Sequence, residues 1–355
     1  MKAVRYYGKG DVRVETDVPE PELQPGGVLV KPAFTGLCGS DLHLYFMGAI
    51  PPAPPSDSQA HPVTGETLPI TLGHEFSGTV VAVADDVEGL AVGDNVAIDP
   101  VSGCGACDAC RAGAYNTCGD MACRGISGGG GGLSELVSVP AGWVHPIGDI
   151  PLDQAAMFDP LCVGYHGVKK SGAAAGDVAL VAGGGPVGLL TAAVLKGIGA
   201  TVILSEPTQN RRDAARNAGI ADRLVCPVTE DLQAVVAELT DGRGVDVAYD
   251  CAGVEAAIQP LLDALRAGGR LEMLAVYPEA PKINLLTVLF KELVIEGSVG
   301  YDHTAFPGAI AMVREGRIDL APFITSRIKA DDFVEDGLEF LEEHKDVQIK
   351  MVVEL

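Results

Sequence analysis

DVALVAGGGPVGLLTAAVLKGIGA, residues 177–200, carries three signals in succession. VALVA is a short apolar run of the kind a buried strand requires. Gly183, Gly185 and Gly188 follow as G-x-G-x-x-G, and the apolar segment behind them, opened by Pro186 and Val187, has the length of a helix. A strand, a glycine turn and a helix in that order aim unpaired N–H groups at one point, where a pyrophosphate is stabilised. TVILSE comes next and ends on Glu206, eighteen residues past Gly188, where a carboxylate accepts from a ribose hydroxyl. A dinucleotide site is therefore expected at Gly183, Gly185, Pro186, Val187, Gly188 and Glu206. The carboxylate would repel a 2′-phosphate, which favours NAD over NADP. Arg211 and Arg212 either lie exposed on the next helix or clamp that phosphate.

Outward from this stretch the pattern repeats. DRLVC (222–226), VDVAYDCAG (245–253), the helical VEAAIQPLLDAL and GGRLEMLAV (268–276) alternate apolar strands with helices, which implies a parallel sheet covered on both faces. The first 150 residues read instead as short strands broken by Gly, Pro and Asp, such as VLVKPAF (28–34) and FSGTVVAVA (76–84). The fold class is α/β, with a mainly-β domain at 1–158 and 299–355 and a doubly wound parallel-sheet domain at 159–298. Residues 47–69, rich in Pro and Ser, are expected to form a surface loop with His61 exposed.

The totals narrow the function. A chain of 355 residues with 47% hydrophobic content is long enough for two domains with real cores. No apolar run approaches the roughly 18 to 20 residues of a membrane helix, and the N-terminal MKAVRYYGKGDVRVE alternates like a strand rather than a signal sequence, so a cytoplasmic address is expected. A formal charge of −23 sets nucleic acid aside as a partner.

Four of the nine cysteines fall in fifteen residues: Cys104, Cys107, Cys110 and Cys118, as C-x2-C-x2-C-x7-C. Four thiolates from one loop close a tetrahedron around zinc and leave no open position, which makes a structural site. Cys38 in GLCGSDLHLY and His74 and Glu75 in GHEFSG are a second donor set, and cysteine, histidine and carboxylate with water on the remaining face make an open, catalytic zinc site.

The ordered set GLCGSDLH, LGHEFSG, the four-cysteine loop, GGGGGLSELV, FDPLCVGYHGV, VAGGGPVG and GSVGYDH resembles the zinc-containing medium-chain dehydrogenase/reductase family over essentially the whole chain. HPVTGETLPITLGHEFSG and GGGGG most resemble its butanediol dehydrogenases, with the sorbitol dehydrogenases close behind. The resemblance implies a GroES-like catalytic domain and a Rossmann domain. It makes Cys38 and His74 ligands of the catalytic zinc, with Glu75 a ligand or a group behind the ligands. It places Asp159 of FDPL at the third ligand position, where polyol and butanediol relatives usually carry Glu; the shorter arm leaves room for an intervening water, and Cys162 is a lesser substitute. Ser40 and His43 resemble the family's proton relay, while Asp41 is expected to hydrogen-bond within the turn. His145, His166, His303 and His344 are assigned structural roles.

The expected activity is NAD-dependent oxidation of a small secondary alcohol or vicinal diol, butanediol to acetoin, by a homo-oligomer, dimer or tetramer, with two zinc ions per chain. A polyol substrate is the runner-up. An alternative of another class is a zinc- and nucleotide-binding redox sensor without turnover.

Overall fold

The computed structural model describes residues 1–48 and 53–355, so residues 49–52 of the expected loop lie outside the described residues. The chain forms two compact units: Met1–Asp159 with Asp302–Ile310 and Ile324–Leu355, and Pro160–Tyr301 with Ala311–Phe323. The segment Ala311–Phe323, expected in the first unit, packs with the second. The reason is packing between segments distant in the chain: Met312 Cε lies so close to Gly197 of the helix Pro186–Gly197 that a β-carbon there would come within 2.6 Å, and Ile318 and Leu320, next to it in sequence, are buried.

The second unit is a six-stranded sheet in the order Arg223–Val225, Thr201–Ser205, Val178–Ala182, Val245–Asp250, Leu265–Met273 and Val294–Gly297. Every pairing is parallel. Leu180, Ile203, Ala248 and Leu271 are fully buried, as strands covered on both faces must be. Chain order reverses at Val178–Ala182, and a crevice for a ligand is expected beyond the carboxyl end of such a strand.

The first unit is built round the strand Gly27–Leu37. It pairs antiparallel with Glu75–Val83 on one side and with Lys350–Glu354 on the other, and Val137–Pro140 joins its first half. Val28, Val30, Phe76 and Val96 fill one core, and Tyr6, Leu44, Ile70, Phe333 and Met351 a second. His61 is 9% exposed rather than free in solvent: its backbone N–H donates to Glu66 O at 2.9 Å and its Nδ1 accepts from Val63 N at 3.2 Å, folding residues 61–66 into a turn. No helix among the described residues is long and apolar enough to cross a membrane.

One row of the parallel sheet is polar. Tyr249, Glu272 and Glu296 stand side by side in register, and Glu272 is fully buried with no hydrogen-bond partner for either oxygen. Burial, then the charge of Glu296, raises its pKa to about 7 against the opposing pull of Lys170 and Arg270. A carboxyl whose pKa is raised by folding contributes most stability at low pH and loses it as pH climbs to the folded value. Melting temperature of the wild type should therefore fall between about pH 4.5 and 7 relative to Glu272→Gln, with the variant the more stable at pH 8. Parallel melting curves over that range would remove Glu272 as the cause.

Candidate active site

Gly36 stands opposite Glu75 where Gly27–Leu37 pairs with Glu75–Val83. That register brings Cys38, just past the first strand, beside His74, just before the second. The approach is tight, since a β-carbon on Gly36 would lie 2.0 Å from Glu75 Oε2. The donor atoms of Cys38, His74 and Glu75 all lie within 4.8 Å of one another.

Each donor is held from behind. Cys38 is the N-cap of the helix Gly39–Met47, and its N–H donates to Asp41 Oδ2 at 2.9 Å. The other oxygen, Asp41 Oδ1, is 3.7 Å from His74 Nδ1, and both atoms are buried without a hydrogen-bond partner. Burial works against charge on His74, yet Asp41, then Cys38 and Glu75, lift its pKa to about 10. Asp41 is thus more than a turn-former. A carboxylate facing Nδ1 favours the ring orientation that leaves Nε2 as the nitrogen that could ligate a metal. Thiol, imidazole and carboxylate converging beside two orphaned polar atoms are a donor set that suits zinc.

Glu75 has a partner that sequence reasoning missed. Lys350 Nζ donates to both carboxylate oxygens, at 2.8 and 2.6 Å, and to Leu37 O at 3.2 Å. Glu75 is 0% and Lys350 2% exposed. The one available signal was a lysine inside the otherwise apolar IKMVV of 349–353. Ser40 Oγ is 3.6 Å from Cys38 Sγ, and His43, one turn further along the same helix, is exposed. Asp159, on the helix Phe158–Ser171, lies outside the three-donor cluster, but its charge acts on Lys350, Cys123 and Asp99. Cys162 is fully buried.

The thiols of Cys104, Cys107, Cys110 and Cys118 converge within 4.8 Å of one another. Cys104 N donates to Cys118 Sγ at 3.4 Å and Cys110 N to Cys107 Sγ at 3.5 Å, so the loop's own backbone stabilises the cluster's charge.

In the second unit Gly185 caps the helix Pro186–Gly197, with Pro186 in its first turn. Gly188 is irreplaceable by geometry, because a β-carbon there would come 1.9 Å from Gly183 O. Glu206 directly follows Thr201–Ser205 and is 2% exposed. Its Oε2 accepts from Gly184 N at 2.5 Å and its Oε1 from Thr208 N at 2.7 Å, so the acid is clamped to the glycine turn itself. Arg211 Nη1 is 3.9 Å from Glu206 Oε2, whereas Arg212 Nη1 donates to the carbonyls of Glu206 and Pro207.

Two family models match the sequence: the alcohol dehydrogenase GroES-like domain over residues 24–149 and the zinc-binding dehydrogenase over residues 186–315. The chain belongs to the zinc-binding alcohol dehydrogenases. It is 43% identical to an (R,R)-butanediol dehydrogenase of Neisseria gonorrhoeae over 99% of both chains. It is 33% identical to an L-arabinitol 4-dehydrogenase of Aureobasidium melanogenum, over 88% of this chain and 83% of that one. The crystal structure of 2R,3R-butanediol dehydrogenase from Bacillus subtilis superposes with a TM-score of 0.91 at 34% identity, covering 100% of this chain and 99% of that one. The zinc-binding dehydrogenase is thus an enzyme with a GroES-like domain and a Rossmann domain.

Removing one partner of a buried ion pair leaves the other charged and desolvated, at a cost of about 3–5 kcal/mol. Lys350→Met should destabilise this dehydrogenase on that scale in denaturant unfolding, and adding Glu75→Gln should restore most of the loss. Equal instability of the single and double variants would show that Lys350 matters for packing rather than for charge.

Proposed function

We propose that this dehydrogenase oxidises a small secondary alcohol, above all a vicinal diol, with NAD+ as hydride acceptor, and that its substrate pair is (R,R)-2,3-butanediol and acetoin. The observation that carries the reaction type is the convergence of Cys38, His74 and Glu75 beside the Ser40 hydroxyl. The substrate rests on the full-length likeness to (R,R)-butanediol dehydrogenase. The likeness to an L-arabinitol dehydrogenase supports a polyol as the second reading.

In this reading Cys38 and His74 hold the catalytic zinc. Both Glu75 oxygens are engaged by Lys350, so Glu75 acts from behind the ligands, and Asp159 completes the set directly or through water. The four-cysteine loop holds a second, structural zinc. Bound at the first site, zinc lowers the pKa of the alcohol and polarises the ketone. Ser40 accepts the hydroxyl proton and His43, exposed at the outer end of the relay, passes it to solvent. With NAD+ bound at the glycine turn, the carbinol hydrogen would leave with its electron pair as hydride, so that the alcohol loses two electrons and the nicotinamide gains them. Glu206, fixed by two backbone N–H groups, presents a rigid negative charge that accepts a ribose hydroxyl and rejects a 2′-phosphate, while Arg211 tempers the rejection.

The partner proposed is a second copy of the chain. The helix Leu285–Lys291 exposes Leu285, Leu286, Leu289 and Phe290, the last at 81%, beside the edge strand Val294–Gly297, an apolar face that supports a dimer or tetramer. A cytoplasmic address belongs to the same proposal, supported by nine cysteines that are all free of disulfides.

Turnover per KM across butanediol stereoisomers, polyols and threonine, each with NAD+ and NADP+, tests the substrate and cofactor together. (R,R)-2,3-Butanediol with NAD+ should lead by about tenfold or more, a difference of about 1.4 kcal/mol in transition-state binding. A polyol in front, or NADP+ in front, would overturn the corresponding half.

The relay has its own test. His43→Ala should slow alcohol oxidation at neutral pH by ~10²-fold or more, the usual contribution of a general base. The deficit should shrink as pH rises and hydroxide takes over, while zinc content stays at two ions per chain. A pH-independent deficit, or loss of an ion, would make His43 a ligand or a structural residue instead.

A further inference from the structure

The penta-glycine 128–132 has no part in the reaction above, and it borders a cleft of about 420 Å³ in the first unit. Arg5, Glu66, Arg124, Gly129, Gly130 and Ser138 line that cleft, and none of the residues assigned to zinc or to the relay does. The two arginines are unequally satisfied. Arg5 donates from Nη1 to Thr71 Oγ1 at 3.0 Å and from Nη2 to Pro69 O at 2.5 Å, but its buried Nε has no partner. Arg124 has one bond, from Nη1 to Ser138 O at 3.3 Å, which leaves Nε and Nη2 without acceptors among the described residues. A guanidinium carries five N–H donors in a fork that matches a carboxylate or phosphate, and Arg124 uses few of them.

The glycines bring the backbone to the same place. Gly129 has φ +79°, and a β-carbon on it would lie 3.3 Å from Arg124 Nη1, so any side chain would crowd the guanidinium. The N–H groups of Gly129 and Gly130 find no acceptor among the described residues. Burial pushes the Arg124 pKa down from its usual value, against the pull of Glu66 and Cys123, as expected where a desolvated cation lacks sufficient counter-charge. In a chain of net charge −23, two arginines facing a glycine turn, with Glu66 the one carboxylate lining the cleft, form a local positive excess.

We propose that this cleft is a binding site for a small oxyanion of the carboxylate or phosphate class. Arg124 grips it with its free donors, the Gly129 and Gly130 N–H groups complete the cradle, and Arg5 supplies potential from one side. Glu66 sets the affinity from the opposite direction, since its charge opposes the ligand's.

The test is calorimetric titration of the full-length protein with inorganic phosphate and, separately, with succinate. Ionic strength is held constant with sodium chloride, and NAD+ is saturating so that the glycine turn at Gly183 is occupied. One of the two anions should bind saturably, and which one does so distinguishes phosphate from carboxylate. Arg124→Gln should weaken that binding by about tenfold or more, the loss expected for a charge-assisted hydrogen bond. Glu66→Gln should strengthen it. Melting temperature without anion identifies a variant that fails to fold, and Glu66→Gln then decides alone. Absence of saturable binding by both anions overturns the proposal, and so does an affinity that Glu66→Gln leaves unchanged.

Discussion

Lys350 and Glu75 meet where three strands of the first unit lie side by side. Glu75 opens one strand, Leu37 ends the second and Lys350 begins the third, and the ammonium donates to the Glu75 carboxylate and to Leu37 O. A carboxylate and an ammonium this deeply buried each carry a desolvation penalty of several kcal/mol, so the pair contributes little net stability and much constraint. Any slip of register between the strands would leave one charge unpaired. The positions of Cys38 and His74 follow from the register in which that pair sits.

The same logic governs two other acids, one in each unit. Asp41 uses one oxygen on its own helix start and turns the other to His74, while Glu206 accepts from Gly184 N of the glycine turn with one oxygen and from Thr208 N with the other. Each carboxylate is oriented by backbone N–H groups before any ligand arrives, and an acceptor already oriented loses no rotamer freedom on binding. Charge accumulates in consequence: Cys38, Asp41 and Glu75 crowd one side, and His74 and Lys350 answer them from the protein.

Much of this was legible in the sequence where the relevant residues are close in the chain. The four cysteines and the glycine turn each occupy a short window, and local geometry leaves them few ways to fold. The parallel sheet could be read because strands buried on both faces are continuously apolar. Lys350 was not legible as the partner of Glu75, since a pairing 275 residues apart leaves no local pattern. The packing of Met312 against Gly197 was hidden for the same reason: it depends on a neighbour that only the folded chain supplies. Composition also misled at His61, where a stretch rich in Pro and Ser reads as solvent-facing whether or not one of its side chains is tucked in.

The separation between Glu75 and Lys350 has a kinetic side as well. A ribosome adding roughly 5–20 residues per second needs on the order of tens of seconds to travel from one to the other. During that interval strands Gly27–Leu37 and Glu75–Val83 have been made without the cation that neutralises Glu75 at their junction, while the residues of the parallel sheet, 178–297, emerge. The unpaired edge waiting for Lys350–Glu354 is then open to wrong partners. Synthesis thus sets a window in which a chaperone would have most influence on how much of the chain reaches its native state.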